Sequence, residues 1–87
     1  MIWTYIKSVV HPTRRHIILC LDGNKFTFIE LLKHVPISSN HGKLGYHLRK
    51  LIANNIVGHD TSKKYHLTER GGNMCKIIRD INQFNIS

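Results

Sequence analysis

Acidic residues are scarce in this chain. Five Asp and Glu stand against thirteen Lys and Arg, for a formal net charge of +8. So few carboxylates offer no paired arrangement for acid–base catalysis. The balance favours a polyanionic partner, nucleic acid ahead of an anionic membrane surface. Cysteine is almost as rare: Cys20 and Cys75 lie far apart, each in an apolar helical pattern. Two such thiols do not make a secreted disulfide framework, and without a cysteine cluster there is no thiolate zinc site. They read as buried thiols in a reducing compartment. Long apolar runs are also missing. The N-terminal MIWTYIKSVVHP is too short and too polar for a membrane span and has no signal-cleavage pattern, so a cytoplasmic protein without membrane association is expected. There is no glycine-rich phosphate loop and no nucleophile elbow. An enzyme is not expected, nor a cofactor.

The 87 residues suit one domain, spanning 1–87, near the low end of what folds alone. Seven histidines, His11, His16, His34, His41, His47, His59 and His66, are many for this length. None is spaced as a structural zinc pair; His59 and His66, on facing strands, could approach each other, but no metal site is expected. Charge is concentrated in the middle: residues 41–70 hold six Lys or Arg against two acids.

That middle third contains SSNHGKLGYHLRKLIAN, residues 38–54. Leu44, Leu48, Leu51 and Ile52 recur at helical spacing and give it one apolar face. The other face collects Ser39, Lys43, Tyr46, Arg49, Lys50 and Ala53, and the stretch has no acid. A helix held by leucines and presenting bases, hydroxyls and a tyrosine suits a DNA major groove. Lys43 and Tyr46, with Ser39, Asn40 or His41, are the candidate base readers. Arg49 and Lys50 are candidates for phosphate. Gly42 and Gly45 are poor helix formers whose missing side chains would allow close approach to a backbone or base edge.

The flanking elements follow in order. Ile2, Trp3, Ile6, Val9 and Val10 pattern a short amphipathic helix over about 2–10, broken at His11-Pro12. Pro12 opens a second helix to about Leu21, with Ile17, Ile18, Cys20 and Leu21 on its core side. Arg14 and Arg15 in its first turn oppose the helix dipole, which suggests a phosphate contact. Thr27-Phe28-Ile29-Glu30 is a capping-box pattern opening a helix to His34, with Ile29, Leu32 and Val35 facing the core. Pro36 ends it, and the basic helix completes a helix-turn-helix. Ile56–Asp60 and Lys64–Leu67 read as a hairpin whose tip holds Thr61, Ser62, Lys63 and Lys64. Thr68 caps a last helix, about 69–84. Its stripe Met74, Ile77, Ile78, Ile81 and Phe84 is narrow and resembles an inter-helix seam. The Gly71-Gly72 pair weakens its first turn.

The expected fold is mainly α with a small β-hairpin, a winged helix-turn-helix. Four fragments carry a family resemblance: His11–Ile18, Phe26–Leu32, Lys43–Leu51 and Tyr65–Gly71. In that order they resemble the ArsR-type winged helix-turn-helix regulators, particularly compact archaeal ones, over roughly residues 11–71. The resemblance implies a homodimer on double-stranded operator DNA. The helix from about 39 to 54 would enter the major groove, and the hairpin, about 58–66, would be the wing. The terminal helices would pair protomers through Ile2, Trp3, Ile6, Met74, Ile77, Ile78, Ile81 and Phe84. Two features depart from the family. Ile29-Glu30-Leu31-Leu32 stands where metal-sensing members carry a cysteine pair, and Asn40-His41 lengthens the start of the recognition helix. A different use of the same fold, as a protein-interaction module in a transcription complex, would instead have a partner protein cover the apolar termini.

Overall fold

A computed structural model describes residues 12–35 and 41–86, the side chains of 41 and 81–86 excepted. The anticipated helix over 2–10, with Ile2, Trp3 and Ile6, lies outside them, as do Ser39 and Asn40 and the side chains of His41, Ile81 and Phe84. Four helices and a hairpin follow one another: α1 (Pro12–Cys20), α2 (Phe28–His34), α3 (His41–Ala53), β1 (Val57–His59), β2 (Tyr65–Leu67) and α4 (Glu69–Ile86).

Each boundary has a chemical cause. Helix α1 begins on proline, whose missing N–H is no loss in a first turn, and it ends before Gly23 at φ 72°. The capping box of α2 is formed. Glu30 N donates to Thr27 Oγ1 at 3.3 Å, and Thr27 N donates to Glu30 Oε1 at 2.9 Å. These bonds, backbone first, hold the Glu30 carboxyl below the usual glutamate range. Helix α3 ends in a Schellman motif: Asn55 takes φ 61°, Ile56 N bonds Leu51 O and Asn55 N bonds Ile52 O, each at 2.9 Å. In α4, Gly71 N donates to Thr68 Oγ1 at 3.0 Å, the expected N-cap.

One core serves every element. Ile17, Ile18 and Leu21 meet Leu31 and Val35, then Leu44, Leu48 and Leu51, and finally Ile56, Val57, Met74, Cys75 and Ile78. Burying a leucine or isoleucine contributes about 1.5–3 kcal/mol, so the three leucines of α3 alone anchor it firmly. Burial pushes the half-buried Cys20 thiol above its ordinary pKa. An Arg79–Asp22 ion pair ties α4 to the turn after α1.

The hairpin is antiparallel, pairing Val57 with Leu67, Gly58 with His66 and His59 with Tyr65. The pattern reading had no strand before α2, yet Phe26 bridges Tyr65: Phe26 N donates to Tyr65 O at 3.1 Å, and Tyr65 N to Phe26 O at 2.7 Å. The bridge pins the hairpin to the start of α2.

Four expectations are corrected here. Ile29 is 54% exposed and Leu31 takes its core position. Ile52 is 39% exposed, and His47 rather than Ile52 joins the leucines on the inner face of α3. His59 stacks on Tyr65 while His66 sits opposite Gly58, so alternation sends the two histidines to opposite faces of the hairpin. Met74 and Ile78 are 0% and 1% exposed inside this one chain, so they have no surface left for a partner.

Candidate nucleic-acid interface

Helix α3 presents one continuous basic face. Lys43, Tyr46, Arg49 and Lys50 are all exposed on it, opposite Leu44, Leu48 and Leu51. Lys50 Nζ lies 5.6 Å from the centroid of the Tyr46 ring, one turn back along the helix. The Tyr46 ring also meets His47 edge-on at 5.4 Å. This tyrosine is therefore held between two neighbours while its outer surface stays open. At Gly45 the space left by the missing side chain opens toward the chain itself. A Cβ there would make ordinary contact with Arg49 at 3.5 Å and with the Phe28 ring at 4.0 Å. Gly45 thus faces α2 and the Arg49 side chain.

The hairpin tip is organised by Asp60. Its Oδ1 accepts from Ser62 Oγ at 2.8 Å, Ser62 N at 3.0 Å and Lys64 N at 3.1 Å. The Ser62 hydroxyl and the Lys64 amide hold the Asp60 carboxyl below the usual aspartate range. Lys25 Nζ stands 3.9 Å from Asp60 Oδ2. The turn closes with Lys63 at φ 60°, a left-handed conformation unusual for lysine. With Asp60 occupied inside the turn, Thr61, Ser62, Lys63 and Lys64 are exposed on its outside.

No protein-family model matches the chain, and no curated protein matches its sequence. Among solved structures, the crystal structure of quinone-bound YodB from B. subtilis superposes with a TM-score of 0.86. The match covers 97% of this chain and 92% of that one, at 20% sequence identity. The fold is a winged helix-turn-helix. Helices α2 and α3 are its helix-turn-helix, and the hairpin is its wing.

Within that winged helix the anticipated residues separate into groups. Lys43, Tyr46, Arg49 and Lys50 share the outer face of α3, and Thr61 to Lys64 share the wing tip. Arg14 belongs to neither, because its Nε donates to His47 Nδ1 at 3.2 Å. It is half-buried between α1 and α3, as is Arg15 on α1. Three residues that matter to the site were not among the anticipated ones. His47, counted in the sequence only among the seven histidines, is 7% exposed. Asp60 could have been found, since an Asp two residues before Ser in a turn commonly accepts from that backbone. Gly71 packs against the carbonyl of Ile56, with 2.1 Å left for a Cβ, and no local signal announces it. Among the described residues no group of three His, Cys, Asp or Glu is placed to hold a metal ion, and no helix is long and apolar enough to cross a membrane.

Proposed function

We propose that this chain is a sequence-specific, double-stranded DNA-binding transcription regulator acting as a cytoplasmic homodimer. It is a binding protein and not an enzyme. The observation that carries the reading is the outer face of α3. Lys43, Tyr46, Arg49 and Lys50 are exposed together on a helix without a single acid, and three buried leucines fix its inner side. Lys43 and Tyr46, with Ser39, Asn40 or His41, read base edges from the N-terminal half, while Arg49 and Lys50 hold phosphates. The wing lies on the backbone or in the minor groove, with Lys63 and Lys64 on phosphates.

The four sequence fragments named above support placing the chain beside the compact ArsR-type regulators. Ile77, 45% exposed on α4, supports a second copy as the partner of that helix. A two-fold pair would set two recognition helices about 34 Å apart, one turn of DNA, on an inverted repeat.

Selection of bound sequences from a random duplex pool tests the reading. An enriched inverted repeat is expected. With roughly 6–10 phosphate contacts per dimer, affinity should fall about 10³–10⁵-fold between 50 and 200 mM salt. Weak, unsaturable binding with no enriched sequence would overturn the reading in favour of a protein-interaction module.

A further inference from the structure

A groove of about 460 Å³ lies between the start of α2 and the wing. Its lining is mostly apolar, from Phe28 and Ile29 on one side and the rings of His59 and Tyr65 on the other. Those two rings are stacked nearly parallel, with centroids 4.3 Å apart and planes 7° apart. Among the described lining residues Lys63 brings the ammonium charge, and Thr27 and Ser62 add hydroxyls. Among the described residues no acid lines the groove and Lys63 makes no ion pair.

We propose that this groove is a binding site for a planar aromatic carboxylate. Three properties of the lining define the ligand. The volume falls in the range of small-molecule sites, roughly 300–1,000 Å³. The parallel ring pair and the exposed Ile29 favour a flat apolar body, since offset stacking and area burial both reward one. The uncompensated Lys63 ammonium selects an anion, and a carboxylate gives it a charge-assisted hydrogen bond. The occupant would bridge α2 and the wing and take Lys63 away from a phosphate, so it acts against DNA. This regulatory consequence rests on the DNA-binding reading above; the ligand site itself does not.

The test is a titration of the isotope-labelled full chain with 2-naphthoate, followed by amide shifts. Saturable shifts at Ile29, His59, Lys63 and Tyr65 are expected, with a Kd on the order of 1 mM or tighter. Neutral 2-naphthamide and non-planar decahydro-2-naphthoate should each bind at least about fivefold more weakly, about half or more of one tenfold affinity step on a logarithmic scale. Lys63→Asn tolerates the left-handed backbone and should bring naphthoate down to the affinity of the amide. Ile29→Glu, at an exposed position, should abolish the shifts without unfolding the chain. Shifts elsewhere, equal binding of acid and amide, or unchanged binding by both variants would overturn the site. A DNA-binding assay then separates the two readings. Naphthoate that occupies the groove and leaves DNA affinity unchanged overturns the regulation alone. A chain that takes naphthoate but no DNA overturns the proposed function and leaves the groove standing.

Discussion

Arg14 Nε donates to His47 Nδ1 at 3.2 Å, joining the first turn of α1 to the inner side of α3. The bond spans 33 residues of sequence and fixes the rotation of α3 against α1. Neutral His47 must carry its proton on Nε2 to accept it. A double-mutant cycle with Arg14→Met and His47→Leu should show a coupling of about 1.5–3 kcal/mol in chemical denaturation, as for a hydrogen bond to a charged group. Additive effects would show that the two side chains do not support each other. A DNA-binding titration of the Arg14→Met variant alongside it tests Arg14 as a phosphate contact: the replacement should cost more stability than DNA affinity.

Recognition helix and wing should fail differently. Lys63→Asn with Lys64→Ala should weaken all DNA sequences about equally, because phosphate contacts carry no direct base information. Lys43→Ala or Tyr46→Ala should relax preference at particular positions by roughly 1–3 kcal/mol. Binding profiles over a library of operator variants distinguish the two outcomes. A wing variant that changed the preferred sequence more than the helix variants did would exchange their assigned roles.

The two adjacent glycines of α4 make a sharper structural test. A Cβ on Gly71 would stand 2.1 Å from the Ile56 carbonyl oxygen, whereas one on Gly72 would meet nothing within 4 Å. The carbonyl is backbone and also accepts from Thr68 N at 3.0 Å, so it cannot simply move aside. Gly71→Ala should cost about 3 kcal/mol or more, the upper end of overpacking. Gly72→Ala should stabilise by about 0.5–1 kcal/mol, since alanine is the better helix former. Thermal denaturation of the two variants compares them directly; similar behaviour would mean the approach of Ile56 to α4 is wrong.

What the sequence revealed and what it hid follow from the range of the interactions. The capping box at Thr27, the cap at Thr68 and the leucine spacing of α3 are local, so they could be read from residues three or four apart. The phase of α2 could not, because seven residues complete only about two turns and allow either Ile29 or Leu31 to face inward. The bridge from Phe26 to Tyr65 and the seat of Gly71 on Ile56 are contacts between distant segments, invisible to any periodicity. His47 was hidden for a chemical reason: its buried polarity is satisfied by Arg14, from another helix. The basic outer face of α3 was legible because charge needs only one face and no partner.

Acid should act on the wing through Asp60. Its carboxyl is held below the ordinary value by the Ser62 hydroxyl and the Lys64 amide. A folded-state pKa below the unfolded one adds stability above the unfolded value, near 3.8. That stability is lost as pH falls through the folded value. The capping carboxylate of Glu30 has the same sign. Unfolding midpoints between about pH 2 and 6 should therefore decline most below about pH 4, near the ordinary range of carboxylates. Asp60→Ala should be less stable at pH 6 and should lose less on acidification. An acid limb equally steep in the variant would remove Asp60 from the account.

Assembly turns on Ile77. Met74 and Ile78 are spent on the chain's own core, and the side chains of Ile81 and Phe84 lie outside the described residues, but Ile77 remains 45% exposed on the same helix. A two-fold axis along α4 would bring it against its own copy, since an isologous interface uses one patch from each subunit. Ile77→Asp would place two like charges there and remove the apolar contact. Because the residue is exposed in the single chain, the fold should survive the change. Monomers are expected in sedimentation at tens of micromolar, on the order of a weak-dimer Kd, together with loss of specific DNA binding and an unchanged circular dichroism spectrum. A wild-type chain that sediments as a monomer under those conditions would refute the dimer, and the inverted-repeat operator would fall with it.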